Sequence, residues 1–224
     1  MRVSVLFSGG KDSAYALYWA LNQGWDVAEL LTLRSGRDDS YMFHVPCVDL
    51  TPLQAKASGL PHRLVDVSGV KEDEVDELIK AFDGVDVDGF VSGALASEYQ
   101  RTRLERVGEA TGLKSFTPLW HKDPRMLLLD MIRGGFDVRF SAVAAEGFTE
   151  SWAGRRLDES VVEELVRLNG KFKVHVGGEG GEYESVVLDA PFFSRKIEVS
   201  DSYVVKTGPS GYRWMVKKAA LIGK

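Results

Sequence analysis

The chain has 224 residues, 44% of them hydrophobic, 10% aromatic and 27% charged, enough apolar side chain for one large domain or for a domain of about 120 residues with a smaller companion. A formal net charge of −5 leaves no broad electrostatic footprint for nucleic acid, no apolar run approaches the roughly 20 residues of a membrane span, and Arg2 leading into a strand does not read as a signal peptide. Cys47 is the only cysteine, which excludes an intrachain disulfide and points to the cytoplasm, and the four histidines show no metal-ligand spacing.

Val3 to Phe7 reads as a buried parallel strand that runs into Ser8-Gly9-Gly10-Lys11-Asp12-Ser13 and then into an apolar-rich helix over residues 13–21, closed by Gly24. Gly9 and Gly10 permit positive φ and let a ligand approach backbone N–H groups, which join the helix N-terminus in facing an anion. Lys11 adds a fixed positive charge. A serine-capped turn without a ligand requires neither the paired glycines nor the lysine, and the spacing is not the Gly-x-x-x-x-Gly-Lys-Ser/Thr of the commoner phosphate loop. Residues 26–33, 62–67 and 89–91 read as further short strands, with helices over 52–58, 72–82 and 97–111. This βαβα alternation predicts an α/β fold with a parallel, doubly wound sheet whose ligands bind beyond the carboxyl ends of the strands. Residues 34–44 form a polar exit loop that reads equally as a lid or as ordinary surface. At the fourth exit, Gly93 and Ala94 suit a close wall for a nucleotide, and the same stretch serves as a helix entry capped by Ser97. Arg101, Arg103 and Arg106 are the nearest approach to a basic patch, or the solvated face of a helix.

Pro118 to Pro124 reads as a domain connection, dividing the chain into residues 1–122 and 123–224. A helix over 125–132, a strand over 137–142, an acidic amphipathic helix over 157–168 capped by Asp158, and a strand over 172–176 follow. Residues 177–184 then place four glycines and three carboxylates in eight residues, a composition that suits no packed element. It reads as a solvated loop or as one held at both ends. Tyr203-Val204-Val205 and Trp214-Met215-Val216 read as strands that complete the second domain.

Ser8 to Ser13 looks like the pyrophosphate loop of the N-type ATP pyrophosphatases. That resemblance implies that Ser8, Gly9, Gly10, Lys11, Asp12 and Ser13 hold the phosphates of ATP, that Asp12 contacts Mg²⁺, and that the first domain is adenine nucleotide alpha hydrolase-like, with a second, smaller α+β domain. Taken with Asp39-Ser40-Tyr41-Met42, Gly93-Ala94, Glu98-Tyr99-Gln100-Arg101, Pro118-Leu119-Trp120 and Gly178 to Glu184, the chain resembles the diphthine–ammonia ligases over nearly its whole length. The resemblance implies that diphthine on elongation factor 2, ammonium and ATP give diphthamide, AMP and pyrophosphate through an acyl-adenylate.

Under that reading Lys11 and the loop N–H groups stabilise the charge that grows as pyrophosphate leaves. Glu182 or Glu184 binds ammonium and accepts its proton, a choice the sequence leaves open. A trimethylammonium group calls for aromatic faces and carboxylates. Tyr183 with Glu179, Glu182 and Glu184, along the turn of Gly180 and Gly181, is therefore assigned to the acceptor pocket. Trp120 joins it or serves as interdomain core. Tyr99, Gln100 and Arg101 are assigned to cleft contacts, and Arg34 to the nucleotide. The competing readings are a tRNA-modifying pyrophosphatase, against which the acidic balance and the lone Cys47 count, and a non-catalytic ATP-binding module, against which the intact lysine and aspartate count. No membrane partner is expected, and the oligomeric state is open to a homo-oligomer.

Overall fold

The computed structural model describes residues 1–35, 47–70 and 73–224. Strands β1 (Arg2–Leu6), β2 (Asp26–Ser35), β3 (His62–Val67), β4 (Gly89–Val91) and β5 (Lys114–Phe116) form a parallel sheet in the order β3-β2-β1-β4-β5. Helices α1 (Lys11–Asn22), α2 (Thr51–Ser58), α3 (Glu74–Ala81) and α4 (Glu98–Thr111) connect them. The central β1 is apolar because it is covered on both faces; Val3 and Val5 are fully buried. Strand order reverses between β1 and β4, so the chain leaves these two neighbours in opposite directions and opens a crevice at their carboxyl ends. The phosphate-type loop and the Gly93 turn both leave the sheet there.

The second half begins with α5 (Pro124–Arg133), whose Asp123 side chain accepts from the Met126 N–H at 2.8 Å. It continues with β6 (Asp137–Val143), α6 (Glu159–Phe172), β7 (Tyr183–Asp189), β8 (Lys196–Gly208) and β9 (Gly211–Ile222). Asp158 caps α6 as expected, accepting from the Val161 N–H at 2.9 Å. The four strands form an antiparallel sheet in the order β7-β6-β9-β8. The short strands anticipated at 203–205 and 214–216 are the middles of a long β8–β9 hairpin.

Residues 172–176 are not a strand. α6 passes through Gly170 to Phe172 and ends at Lys173, which takes a left-handed φ of 62°. The Lys173 N–H bonds the Asn169 carbonyl at 3.0 Å, and the Asn169 side-chain amide donates to the Val174 carbonyl at 2.9 Å. These groups close the helix end rather than joining a ladder. Val174 and Val176 are buried in an irregular segment, so their alternation reflects burial without sheet pairing.

One hydrophobic cluster runs through both halves, joining Val3, Leu17 and Ala20 of the first to Leu128, Phe140, Val162 and Val187 of the second. Tyr18 touches Phe136 and Phe192 across that seam, with ring centroids 5.6 and 6.2 Å away. The second sheet is therefore fixed directly against α1. No helix among the described residues is long and apolar enough to cross a membrane.

Candidate active site at the sheet switch point

Gly9 has a φ of 80°, and Gly10 is the N-cap of α1 but has no side chain to cap it. The bond is supplied from the other half of the molecule: the Lys11 N–H donates to Ser185 Oγ on β7 at 3.1 Å. Ser13 Oγ accepts from the Ser8 N–H at 3.2 Å and donates to the Gly10 carbonyl at 3.1 Å, bracing the turn from within. Gly93 lies against the same helix start, where a Cβ would come within 2.6 Å of the Asp12 carbonyl carbon and 2.7 Å of the Ser13 nitrogen. Its small size is required by α1 itself. Ala94 is buried in the core beneath it.

Lys11 is only 4% exposed. Its Nζ donates to Asp12 Oδ2 at 2.6 Å and to the Gly177 carbonyl at 2.7 Å, and lies 5.2 Å from the Tyr183 ring centroid. Burial alone would push the ammonium pKa down, but the Asp12 charge, reinforced by its hydrogen bond and by Glu179, holds it above the ordinary lysine value. The other Asp12 oxygen, Oδ1, is buried without a hydrogen-bond partner among the described residues.

The acidic loop is exposed only at Gly180 and Gly181 and is tied down on both sides. Glu182 turns back on its own chain, Oε1 accepting from the His175 N–H and Oε2 from the Gly180 N–H, both at 2.8 Å. A Cβ on Gly180 would meet those oxygens at 2.8 and 3.0 Å, and Gly181 has a φ of 76°. Both glycines are thus explained by loop geometry. Glu179 Oε2 accepts from the Ala96 N–H at 3.1 Å, joining the loop to the start of α4. Burial raises the Glu179 pKa, with the Asp12 charge adding and Lys11 opposing. Glu184 stands apart, since no hydrogen bond or ion pair reaches its carboxylate from the described residues. Burial pushes its pKa up to about 7, against the pull of Lys11 and with the help of Asp12 and Glu179.

The assignment of Tyr183 to an aromatic wall is corrected. Its ring is 3% exposed, packed at 4.9 Å on Phe140 with the Lys11 ammonium on it, and its hydroxyl donates to the Val176 carbonyl at 2.7 Å. No face is left for a ligand. Trp120 is not interdomain core; it packs on the first sheet's own cluster and lines a cleft of about 340 Å³ with Glu98, Arg101, Glu105, Ser115 and Thr117. Arg101 spans that cleft, its Nε donating to Glu98 at 2.8 Å, its NH1 pairing with Glu105 and its guanidinium 5.7 Å from the Trp120 ring centroid. Tyr99 and Gln100 do not line it; Tyr99 lies under the Arg103 guanidinium, and the Gln100 N–H serves the Ser97 cap.

Arg34, at the end of β2, donates to Asp66 at 2.7 Å and lies 3.6 Å from Asp49. The stretch Asp39-Ser40-Tyr41-Met42 lies outside the described residues. Among the described residues no group of three or more His, Cys, Asp or Glu side chains gathers as a metal site. Two contributors were not anticipated. Ser185 follows directly on the acidic stretch of residues 177–184, and its hydroxyl gives no sign in the sequence that it caps a helix of the other half. Gln54 on α2 is fully buried, its Nε2 donating to the Gly9 carbonyl at 2.8 Å and to the Val187 carbonyl at 2.7 Å.

A model of the diphthamide synthase N-terminal domain matches residues 1–115, and one of the diphthamide synthase C-terminal domain matches residues 123–222. The diphthine–ammonia ligase of Schizosaccharomyces pombe is 36% identical over 244 residues, covering all of this chain and 40% of that protein. The Homo sapiens protein of the same name is 35% identical over 228 residues, covering 92% of this chain and 85% of its own length. Among solved structures, a predicted subunit of tRNA methyltransferase from Methanocaldococcus jannaschii aligns over 85% of this chain and 98% of its own at 16% identity, with a TM-score of 0.44, too distant to compare sites. With both domain models matched in order and about a third of its residues shared with the human protein over most of the length of each, the chain belongs to the diphthine–ammonia ligase family.

Proposed function

We propose that the protein amidates diphthine on elongation factor 2, consuming ATP and ammonium and releasing AMP and pyrophosphate. The observation that carries this reading is the convergence of Lys11, Asp12 and Glu184 on the crevice between β1 and β4. A glycine loop with a lysine at a helix N-terminus suits a polyphosphate, and a carboxyl group that titrates near neutrality suits a proton acceptor for ammonia.

A carboxylate is a poor acyl donor because it would have to expel oxide. In the first half-reaction a diphthine carboxylate oxygen bonds to the α-phosphorus of ATP as the bond to pyrophosphate breaks. The loop N–H groups and Lys11 stabilise the charge that accumulates on the departing phosphates. In the second, ammonia attacks the acyl carbon, AMP leaves with the electron pair of the broken bond, and the proton released by nitrogen passes to Glu184. Glu182, with both oxygens committed to backbone N–H groups, keeps the loop in shape. Trp120, Arg101 and Glu179 are assigned to the acceptor side of the cleft.

The unpartnered Oδ1 of Asp12 fits a single carboxylate donor to Mg²⁺, an ion that takes few protein ligands when phosphates supply the rest. Once bound there, the ion would supply further charge neutralisation on the phosphates. AMP and pyrophosphate release, measured with ammonium and either diphthine-bearing elongation factor 2, the unmodified factor or bulk tRNA, tests the proposal. Release that requires diphthine is expected; release driven by tRNA alone would overturn it.

A further inference from the structure

The proposed chemistry uses groups from two separate elements. Lys11 and the phosphate-type loop belong to α1, whereas Glu184 belongs to β7, and the two half-reactions succeed one another only if these elements keep a fixed relation. A displacement of about 1 Å between reacting groups can cost a hundredfold in rate. Beside the direct bonds that Ser185 and Val187 of β7 make to Lys11 and Gly9, a residue of neither element bridges the two.

Gln54 projects from α2 into the seam between the halves and is fully buried. Its amide nitrogen faces two carbonyls, Gly9 O of the loop at 2.8 Å and Val187 O of β7 at 2.7 Å. The Val187 N–H also donates to Gly9 O at 3.0 Å, so a single loop carbonyl is held by α2 and β7 together. This fixes the orientation of the amide, since an oxygen in place of Nε2 would oppose two acceptors. The oxygen Oε1 points to Gly9, where a Cβ would meet it at 2.3 Å, and it has no hydrogen-bond partner among the described residues. Leaving that acceptor buried is unfavourable, so the placement of Nε2 is maintained at a cost in stability.

We infer that Gln54 is a positioning residue that holds the phosphate-binding loop in register with the strand carrying Glu184, and so couples adenylate formation to amide formation. The inference rests on the ligase reading above. With the register kept, the acyl–oxygen bond to AMP breaks as the carbon–nitrogen bond forms and the proton of the attacking ammonia goes to Glu184. When the loop slips on β7, the adenylate still forms beside Lys11, but water takes the place of ammonia, and hydrolysis returns the diphthine carboxylate with AMP. The sign of lost register is therefore AMP without amide.

The experiment measures AMP released per amide formed, with diphthine-bearing elongation factor 2, ATP and saturating ammonium, for the wild-type protein and for Gln54→Met, which keeps length and apolar volume but has no donor. The wild type is expected to give one AMP per amide. The variant is expected to raise that ratio by roughly two- to tenfold, the scale of one buried hydrogen bond, with the KM for ATP little changed. A slower variant that remains coupled one to one would overturn the inference and leave Gln54 a purely structural residue. A wild type that makes no amide would instead overturn the ligase reading. If Gln54→Met lacks a cooperative melting transition, Gln54→Glu serves: protonation restores one donor, so the variant's AMP-per-amide ratio, divided by that of the wild type at the same pH, must fall as the pH falls, and a pH-independent quotient contradicts the inference.

Discussion

Glu182 and Glu184 are separated by one residue and carry the same side chain, yet their surroundings differ. Both oxygens of Glu182 accept backbone N–H groups, while Glu184 is left to burial and titrates at about 7. Glu184→Gln is expected to reduce amide formation by about a hundredfold or more while pyrophosphate release survives, whereas Glu182→Gln should weaken both through the loop. Product analysis of the two variants separates the roles. As a base Glu184 must be ionised, so wild-type amidation at a fixed ammonia concentration should rise with pH through about 7. The effect on stability has the opposite sign. Between the ordinary glutamate value of 4.5 and about 7 the folded protein holds a proton that the unfolded chain has lost, so this group's contribution to stability falls as pH rises through that window. Glu184→Gln should therefore stabilise the fold by up to about 3 kcal/mol near pH 8 and by little at acid pH, a difference that thermal melts at both can detect. The division of labour was not legible in the sequence. Ser8 to Ser13 stood out because glycines and a lysine at a strand-to-helix turn have few other uses, but three glutamates in one loop are told apart only by which backbone N–H groups fold onto them.

The β1–α1 junction followed directly from the sequence, since the apolar run, the paired glycines and the helix periodicity all agree. β5 did not, because Lys114-Ser115-Phe116 offers one apolar residue where the equally short β4 offers a buried Gly-Phe-Val run, and two buried valines beyond α6 mimic a strand where none forms. At the scale of elements, the close approach of the β4 exit to α1 decides what Gly93 can become. Gly93→Ala would press a methyl onto backbone atoms that cannot rotate away. It is expected to destabilise the protein by at least the roughly 1–3 kcal/mol of ordinary overpacking and to weaken nucleotide binding with it. Ser185→Ala removes only the acceptor of the Lys11 N–H, a helix-cap bond made from another domain, and should cost about 0.5–2 kcal/mol in chemical denaturation.

In the molecule as a whole, the division proposed at residue 122 falls between the two matched domain models, but the core ignores it. α1 presents Tyr18 to Phe136 and Phe192, and Ser185 and Val187 of β7 bond the loop directly. Produced separately, residues 1–122 and 123–224 would each expose that seam and should lack a cooperative melting transition; two independently folded halves would contradict this. The same seam brings together the glycine turn of one sheet and Glu184 of the other, with Gln54 between them. The most direct measurement of the account is the mass of the diphthine residue of elongation factor 2 after incubation of the diphthine-bearing factor with the protein, ATP and heavy-nitrogen ammonium. Conversion of the carboxylate to an amide carrying the heavy nitrogen, matched by AMP and lost in Lys11→Ala, is the expected result; an unchanged diphthine residue beside continued AMP release would contradict it.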